Sequence, residues 1–179
     1  MKLRTLGMIL ATMAFALSGF AENTTAFDRS TERLEKQVRH ELNMIPYVNA
    51  FDYLSFTVDA EGNVTLSGEV TNPVVKSDAG NVLKRVEGVE HVDNQIRVLP
   101  LSPMDDGLRV RLFRTIYGYP ALQKYALGLT KPIRIIVDSG HVTLVGVVDS
   151  QADKDIAGIR ANGVPGIFSV NNQLKVVRG

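Results

Sequence analysis

The chain has 179 residues, of which 45% are hydrophobic and 22% are charged, with a formal net charge of +1. This composition is typical of a globular protein and argues against intrinsic disorder. Because the sequence contains no cysteine, it excludes disulfide bonds, thiolate chemistry and a lipid anchor on an N-terminal cysteine.

Residues 1–21 have the parts of a secretory signal peptide. Lys2 and Arg4 form a positive region, residues 6–17 are almost entirely apolar, and small residues lead up to Ala21, after which we expect cleavage. The alternative is an uncleaved membrane anchor, but a span needs ~20 apolar residues. Cleavage would leave eighteen basic against nineteen acidic residues, a net charge of −1. Such a chain lacks the broad basic field of a nucleic-acid-binding protein, so no nucleic-acid partner is predicted.

The segment after the signal peptide predicts one long helix. Residues 22–27 are expected to form a short flexible leader, and the helix is expected to begin near Asp28 or Ser30, both favourable N-caps. Apolar residues recur at helical spacing until Pro46 ends the pattern. This apolar stripe consists of Leu34, Val38, Leu42 and Ile45.

Alternation of apolar and polar residues over 53–58 and 64–70 predicts two strands of an antiparallel hairpin. The turn between them contains Gly62, which can adopt a positive φ. Asn72 is predicted to cap a second helix that begins at Pro73 and ends with Gly88 as its C-terminal cap. A third strand over 92–98 follows. A right-handed crossover places it parallel to the second strand or separated from it by one strand.

The most informative feature is an internal repeat. Residues 64–99 recur without a gap at 142–177, an offset of 78, and 14 of the 36 positions are identical. The second copy consists of a helix capped by Ser102, strands over 133–138 and 142–148, a helix capped by Ser150 and a last strand over 170–176. The sequence therefore predicts an α+β fold of two tandem αββαβ repeats, each with two helices and a small three-stranded mixed sheet. The predicted boundaries are 28–99 for the first domain, 100–104 for a linker and 105–179 for the second domain.

Residues that recur in both copies are those that the repeated unit needs to fold. The glycines inside strands are interpreted as points where a helix approaches the sheet closely or where the strand bulges, with backbone access for a ligand as the alternative. The helix glycines, Gly80 and Gly158, would let the helix lie close to the sheet. Each repeated asparagine is predicted to make a local hydrogen bond, with a polar binding site as the alternative. The recurring signature is Gly68, Gly88, Asn94, Gly146, Gly166 and Asn172.

The two copies differ on the outer face of the sheet. Thr65, Ser67 and Glu69 make this face polar in repeat one. In repeat two it carries Thr143, Val145 and Val147, with Ile136 nearby. A unit of ~70 residues buries a thin core. We therefore expect repeat one, rather than a second chain, to cover this apolar face.

Segment 117–131 is the candidate interaction surface, because it interleaves aromatic and aliphatic residues with lysines. Such side chains suit a membrane interface or a partner's groove. The alternative is that the apolar groups complete the domain core. The candidate residues are Tyr119, Leu122, Lys124, Tyr125, Leu127 and Lys131.

Catalytic signals are absent from the sequence. His40, His91 and His141 lie far apart without metal-like companions, and each is interpreted as a solvated surface residue. No nucleophile elbow, phosphate loop or dinucleotide fingerprint occurs. The sequence therefore predicts no catalytic residue, no metal site and no cofactor.

The repeated pattern resembles the BON domain. In this chain the pattern comprises Val64, Leu66, Gly68, Val70, Ala79, Gly88, Val89, Val92, Asn94, Ile96 and Val98, and again Val142, Leu144, Gly146, Val148, Ala157, Gly166, Ile167, Val170, Asn172, Leu174 and Val176. The resemblance implies an osmotically inducible periplasmic protein that binds phospholipid or protects the envelope under stress. It implies no catalytic residues.

The leading prediction is therefore a non-enzymatic periplasmic protein that associates with the phospholipid membrane surface. The alternative is a protein–protein interaction module that docks an envelope partner through the apolar outer face of repeat two or through segment 117–131. Two departures from the family bear on this choice. The chain lacks a lipobox cysteine, and its balanced charge weakens electrostatic attraction to anionic lipid.

Overall fold

The structure is a computed structural model that describes residues 18–128 and 131–177, with side chains from residue 30 onward. Repeat one contains α1 (Ser18–Asn43), β1 (Tyr53–Val58), β2 (Asn63–Val70), α2 (Pro73–Leu83), β3 (His91–Asn94) and β4 (Arg97–Val98). Repeat two contains α3 (Pro103–Tyr117), a 3₁₀ helix (Pro120–Ala126), β5 (Ile133–Asp138), β6 (His141–Val148), α4 (Gln151–Asn162), β7 (Ser169–Asn172) and β8 (Lys175–Val176). The predicted α+β tandem repeat is confirmed.

The first helix is longer than expected. It begins at Ser18, ten residues before Asp28, and it includes residues 22–27, for which a flexible leader was wrongly predicted. No proline or C-terminal glycine cap lies between Phe20 and Ser30, so nothing in the sequence stops the helix from propagating. Residues 1–17, which carry most of the predicted signal peptide, lie outside the described residues.

Each repeat forms one mixed sheet with a β-hairpin at one edge. β1 pairs antiparallel with β2, and both β3 and β4 pair parallel with β2. This confirms the first of the two arrangements considered for the third strand. That strand is divided into β3 and β4, and the interval between them lies opposite the part of β2 that contains Gly68, which has a φ of +120°. Repeat two repeats this topology with β5 to β8.

The N-termini of α2, α3 and α4 have the predicted caps. The side chains of Asn72, Ser102 and Ser150 accept hydrogen bonds from backbone amides in the first turns of α2, α3 and α4. Because α3 begins at Pro103, the last two residues of the expected linker are helical.

Gly88 was predicted as the C-cap of α2, and this assignment is wrong. Lys84 occupies the C-cap, because α2 ends at Leu83. Gly88 lies further on, in the turn before β3, where its φ of +90° explains the need for glycine. Gly166, with a φ of +91°, has the same place in repeat two.

Each repeat buries its own hydrophobic core between the helices and one face of its sheet. The core of repeat one includes Val38, Leu42, Leu66, Leu83 and Ile96. The core of repeat two includes Leu108, Leu112, Ile116, Ile135, Leu144 and Leu174. A third, smaller cluster joins the repeats.

Candidate functional site

Segment 117–131 divides into core and surface residues. Leu122 is fully buried and Tyr125 is 6% exposed, and both belong to the core of repeat two. These two residues cannot contact a membrane or a partner while the domain is folded, so the structure places them as the core interpretation expects. Leu127 is 88% exposed, and Leu129 lies outside the described residues.

Lys124 and Tyr125 belong to a polar network at the start of α4. The ammonium of Lys124 lies 2.8 Å from Asp149 and 2.9 Å from Asp153. The hydroxyl of Tyr125 donates to Asp153 at 2.8 Å and accepts from the backbone amide of Asp149 at 2.8 Å. Burial alone would raise the pKa of Asp153, but the hydrogen bonds from Lys124, Tyr125 and Ser150 lower it below its ordinary value. The positive charge of Lys124 is thus paired with carboxylates of the same domain.

The remaining polar members of the segment are also held internally. Lys131 donates to the carbonyl of Ala126 at 2.5 Å and to that of Gly128 at 2.7 Å. The guanidinium of Arg160 lies 4.9 Å from the ring centroid of Tyr119, a cation–π contact. Leu127 is therefore the described member of the candidate set that is both highly exposed and without a specific contact.

The signature residues lie where the backbone approaches another part of the fold closely. The side-chain amide of Asn94 donates to the carbonyl of Lys76 in α2 at 2.8 Å. A Cβ on Gly68 would lie 2.1 Å from the carbonyl oxygen of Tyr53. Gly68 is thus required by the neighbouring strand β1, and not by an approaching helix. Asn172 and Gly146 repeat these contacts with Lys154 and Pro132.

Repeat one covers part of the apolar outer face of repeat two. Ile136 is 3% exposed and Val145 is 8% exposed, and both pack against Leu99 and Tyr53 of repeat one. Val147 on the same face remains 42% exposed. The part of this face formed by Ile136 and Val145 is therefore unavailable to a partner, which reduces one of the two surfaces that the protein-interaction prediction relied on.

Two further contacts fix one repeat against the other. Arg97 bridges Glu69 at 2.5 Å and Asp138 at 2.6 Å, and its hydrogen bond lowers the pKa of Asp138. The ring centroids of Phe51 and Phe113 lie 6.1 Å apart in an edge-to-face arrangement. Through this contact Phe51 of repeat one packs against the core of repeat two.

A cleft of about 440 Å³ lies between the repeats. We call it the inter-repeat cleft, and we define it by Arg39 and Phe56 of repeat one and Lys131, Arg134 and Val147 of repeat two. Arg134 donates to the carbonyl of Asn49 at 2.7 Å, and burial lowers the pKa of its guanidinium. The cleft thus combines cationic groups with apolar walls.

The hairpin ends of the two repeats differ strongly in character. In repeat one, Glu61, Glu87 and Glu90 lie together beside the hairpin turn. At an offset of 78, the equivalent residues of repeat two are Ser139, Pro165 and Phe168. One hairpin end is therefore acidic, and the other is free of acidic groups at these positions.

The hairpin end of repeat two is built from three elements. The buried carboxylate of Asp105 in α3 accepts the backbone amides of Ser139 and Gly140, each at 2.9 Å. Phe168 is 70% exposed, and its ring lies so close to Gly140 that a Cβ there would be 2.6 Å from Phe168 Cδ2. Met104, next to Asp105, is 56% exposed. The result is an ordered, exposed apolar end.

Neither a metal site nor a membrane span is found in the described part of the chain. Across residues 18–128 and 131–177, no group of three or more His, Asp or Glu side chains could hold a metal ion. His40, His91 and His141 are all exposed. No described helix is both long and apolar enough to cross a membrane.

Sequence reasoning missed Phe168 and the inter-repeat cleft. The replacement of Glu90 by Phe168 between the aligned repeats was a readable signal, because it exchanges a charge for an aromatic ring at a turn. The convergence of Arg39 and Arg134 had no such signal. It depends on how the repeats pack against each other.

Comparison with known proteins gives a consistent family. A family model described as the BON domain matches residues 30–100 and 123–178. Osmotically-inducible protein Y of Escherichia coli (strain K12) is 33% identical over 113 residues, which is 63% of this chain. The match spans 56% of that relative's length, so a large part of the relative has no counterpart in the alignment.

Two solved structures of CdsD are also similar. CdsD is a structural protein of the type III secretion system of Chlamydia trachomatis. The first match has 14% identity and a TM-score of 0.31, and it covers 82% of this chain and 93% of that one. The second is the C-terminal domain of CdsD, with 14% identity and a TM-score of 0.29, covering 78% and 95% respectively.

Proposed function

Because the chain belongs to the BON-domain family, we propose that it is an exported, non-enzymatic periplasmic protein that binds phospholipid surfaces and protects the cell envelope under osmotic stress. The family match covers both repeats, which supports one function built on the tandem unit. The name of the E. coli relative supports a connection with osmotic stress. The signal-peptide pattern of residues 1–21 supports export.

The observation that carries the membrane assignment is the exposed ring of Phe168. An aromatic side chain that is 70% exposed at an ordered turn is well placed to enter the interfacial region of a bilayer. Met104 adds apolar surface at the same end. The equivalent end of repeat one carries Glu61, Glu87 and Glu90, which anionic lipid would repel. Repeat two therefore makes the contact in this proposal.

The experiment is co-sedimentation of the mature chain, residues 22–179, with vesicles. Vesicles of phosphatidylcholine alone are compared with vesicles that also contain phosphatidylglycerol, at low and at high salt. Because the contact is mainly apolar and the chain is nearly neutral, we expect binding to both vesicle types with a weak dependence on salt. Loss of the Phe168 ring is worth about 1.5–3 kcal/mol of burial, so Phe168→Asp should weaken binding about tenfold or more.

Ile159→Asp is the matched control, because Ile159 is 69% exposed on α4 and the charge change is the same. It should leave binding unchanged. Leu127→Asp tests the surface first suggested by segment 117–131. Loss of binding with Leu127→Asp alone would move the contact to that segment. Absence of binding to every vesicle would refute the membrane assignment.

A further inference from the structure

The two repeats differ at the open edges of their sheets. β1 and β5 are equivalent edge strands, because Phe56 pairs with Leu66 and Ile135 pairs with Leu144, and Leu144 is the repeat-two equivalent of Leu66. In an antiparallel pair, alternate residues direct their amide and carbonyl groups toward the neighbouring strand or away from it. An edge strand therefore presents outward groups that can pair with another chain unless they are covered.

The outward amide and carbonyl groups of β5 form hydrogen bonds with three other residues. Tyr117 and Arg109 of α3 contribute side chains, and Ala50 in the loop before β1 contributes its carbonyl. The hydrogen bonds join Tyr117 Oη to the carbonyl (2.6 Å) and the amide (3.1 Å) of Ile133, the amide of Ile135 to the carbonyl of Ala50 (2.8 Å), and Arg109 Nη2 to the carbonyl of Val137 (2.6 Å). Burial raises the pKa of Tyr117 to about 12, so its hydroxyl remains a donor.

The outward groups of β1 lack these partners. Next to the hairpin turn, the amide of Asp59 donates to the carbonyl of Asn63. Because hydrogen bonding alternates along an antiparallel pair, Thr57 and Ser55 also direct their amides and carbonyls toward β2. Leu54 and Phe56 then direct their amides and carbonyls outward. In the described part of the chain no hydrogen bond reaches these groups.

Substitutions between the repeats explain why β1 lacks the bonds that Tyr117 and Arg109 make to β5. At an offset of 74, the positions of Tyr117 and Arg109 in α3 correspond to Asn43 and Glu35 in α1. An asparagine is too short to replace the tyrosine, and a glutamate cannot donate to a carbonyl. The open edge of β1 is thus a consequence of sequence, and repeat two shows how the same fold closes it.

The open edge faces the cationic side of the inter-repeat cleft. The guanidinium of Arg39 lies 5.1 Å from the ring centroid of Phe56 in β1. Arg134 and Lys131 approach from repeat two. Among the described residues, none of these three cations lies within 4.0 Å of a carboxylate oxygen.

The carboxylate of Asp52 also lines the cleft, but it is already occupied. Asp52 is 1% exposed. It accepts the amide of Thr71 at 2.7 Å, the hydroxyl of Thr71 at 2.8 Å and the amide of Asn49 at 3.0 Å. The charge that the cleft offers to a ligand is therefore positive.

We propose that the outer edge of β1 binds an extended acidic segment of a partner protein as an added strand, with its carboxylates on Arg39 and Arg134. Main-chain hydrogen bonds to Leu54 and Phe56 supply the pairing, and the cationic cleft selects acidic sequences. A second copy of this chain fits less well, because pairing through its own β1 would bring like charges together. β1 has six residues, enough for one short strand.

The first test measures the edge in the free chain by residue-resolved amide hydrogen exchange. The amide of Ile135 is bonded to Ala50, whereas the equivalent amide of Phe56 is open. We expect Phe56 to exchange at least about tenfold faster than Ile135, since an unbonded edge amide needs no opening step. Equal protection of the two amides would show that the edge is already covered, and it would overturn the proposal.

The second test identifies the ligand chemistry with random twelve-residue peptides displayed on phage and selected on the full chain. We expect enrichment of acidic sequences with β-branched residues. The selected peptide should slow exchange at Leu54 and Phe56. Enrichment of sequences that are not acidic, or binding without protection of these amides, would overturn the proposal. So would equal binding of inorganic phosphate or anionic vesicles to the cleft in competition with the peptide.

Charge reversal on α1 supplies the matched variants. Arg39→Glu should weaken the selected peptide's affinity about tenfold, because an attractive contact becomes repulsive. Arg33→Glu makes the same change at another exposed position of α1 and should leave affinity within about twofold. Equal effects of the two variants would indicate non-specific attraction and would contradict the assigned site. Self-association lost with Arg39→Glu would instead identify a second copy as the occupant.

Discussion

Gly80 of α2 leaves the space that the side chain of Asn94 occupies. A Cβ on Gly80 would lie 2.8 Å from the side-chain nitrogen of Asn94, and that nitrogen donates to the carbonyl of Lys76, one turn earlier in α2. Gly158 and Asn172 have the same relationship in repeat two, again at 2.8 Å. The glycine thus makes room for a side chain that ties the helix to the sheet.

The first prediction is that the effect of Gly80→Ala reverses when Asn94 is also changed. Alone, Gly80→Ala should destabilise the chain by about 1 kcal/mol or more, because the displaced side-chain amide of Asn94 loses its hydrogen bond to the carbonyl of Lys76. In an Asn94→Ala background the clash is absent. Alanine should then stabilise α2 by up to about 1 kcal/mol. Urea denaturation of the four chains measures the coupling, and additive effects would contradict the shared role.

A second prediction concerns Gly68, whose φ of +120° is rarely adopted by other residues. Gly68→Ala should destabilise repeat one by about 3 kcal/mol or more, since strain adds to a clash with the carbonyl of Tyr53. Gly68→Val should cost more. Gly107→Ala is the control. It lies inside α3, its nearest contact is the flexible end of Arg111 at 3.3 Å, and it should stabilise by up to about 1 kcal/mol.

Thermal denaturation followed by circular dichroism compares these variants. An unchanged melting temperature for Gly68→Val would refute the packing account of this glycine. It would also reopen the ligand-access interpretation.

Local features of the fold could be predicted from the sequence, whereas bonds between distant segments could not. The caps at Asn72, Ser102 and Ser150 depend on residues a few positions apart, so the pattern alone indicates them. Burial of Leu122 and Tyr125 was one of two open alternatives, because the same apolar residues suit a core and a surface.

Other groups have equivalent roles but unrelated sequence positions. The carboxylate of Asp52 accepts the amide of Thr71 in repeat one, and the hydroxyl of Tyr125 accepts the equivalent amide of Asp149 in repeat two. One acceptor precedes β1, and the other lies in the 3₁₀ helix between α3 and β5. Asp52 and Tyr125 are not aligned with each other in the two repeats. Their shared role was therefore visible only in the structure, where each lies next to the amide that it accepts.

A third prediction follows from the lowered pKa of Asp153. A carboxylate whose pKa is lower in the folded than in the unfolded chain contributes stability above its unfolded pKa. This contribution is lost as the pH falls through the folded value. Asp153→Asn should therefore be less stable than the parent chain at pH 7, and the difference should shrink below about pH 4.

Lys124→Met tests the cause of this pH dependence. Removing the ammonium that lies 2.9 Å from Asp153 should let the pKa of that carboxyl rise, and so should flatten the loss of stability in acid. Urea denaturation at a series of pH values measures both variants. A difference between Asp153→Asn and the parent that stays constant from pH 7 to pH 3 would contradict the linkage.

The last prediction concerns the coupling between the repeats. Leu99 is 3% exposed and packs against Ile136 and Val145, so it transmits the folding of one repeat to the other. Leu99→Ala should cost about 2–4 kcal/mol, the range for a buried leucine. Leu101→Ala is the control, because Leu101 lies two residues away and is 95% exposed, and it should change stability by less than about 0.5 kcal/mol.

We expect the parent chain to unfold in one transition and Leu99→Ala to broaden or divide it, because each repeat retains its own core. A single, equally sharp transition with unchanged midpoint in Leu99→Ala would contradict the assigned coupling.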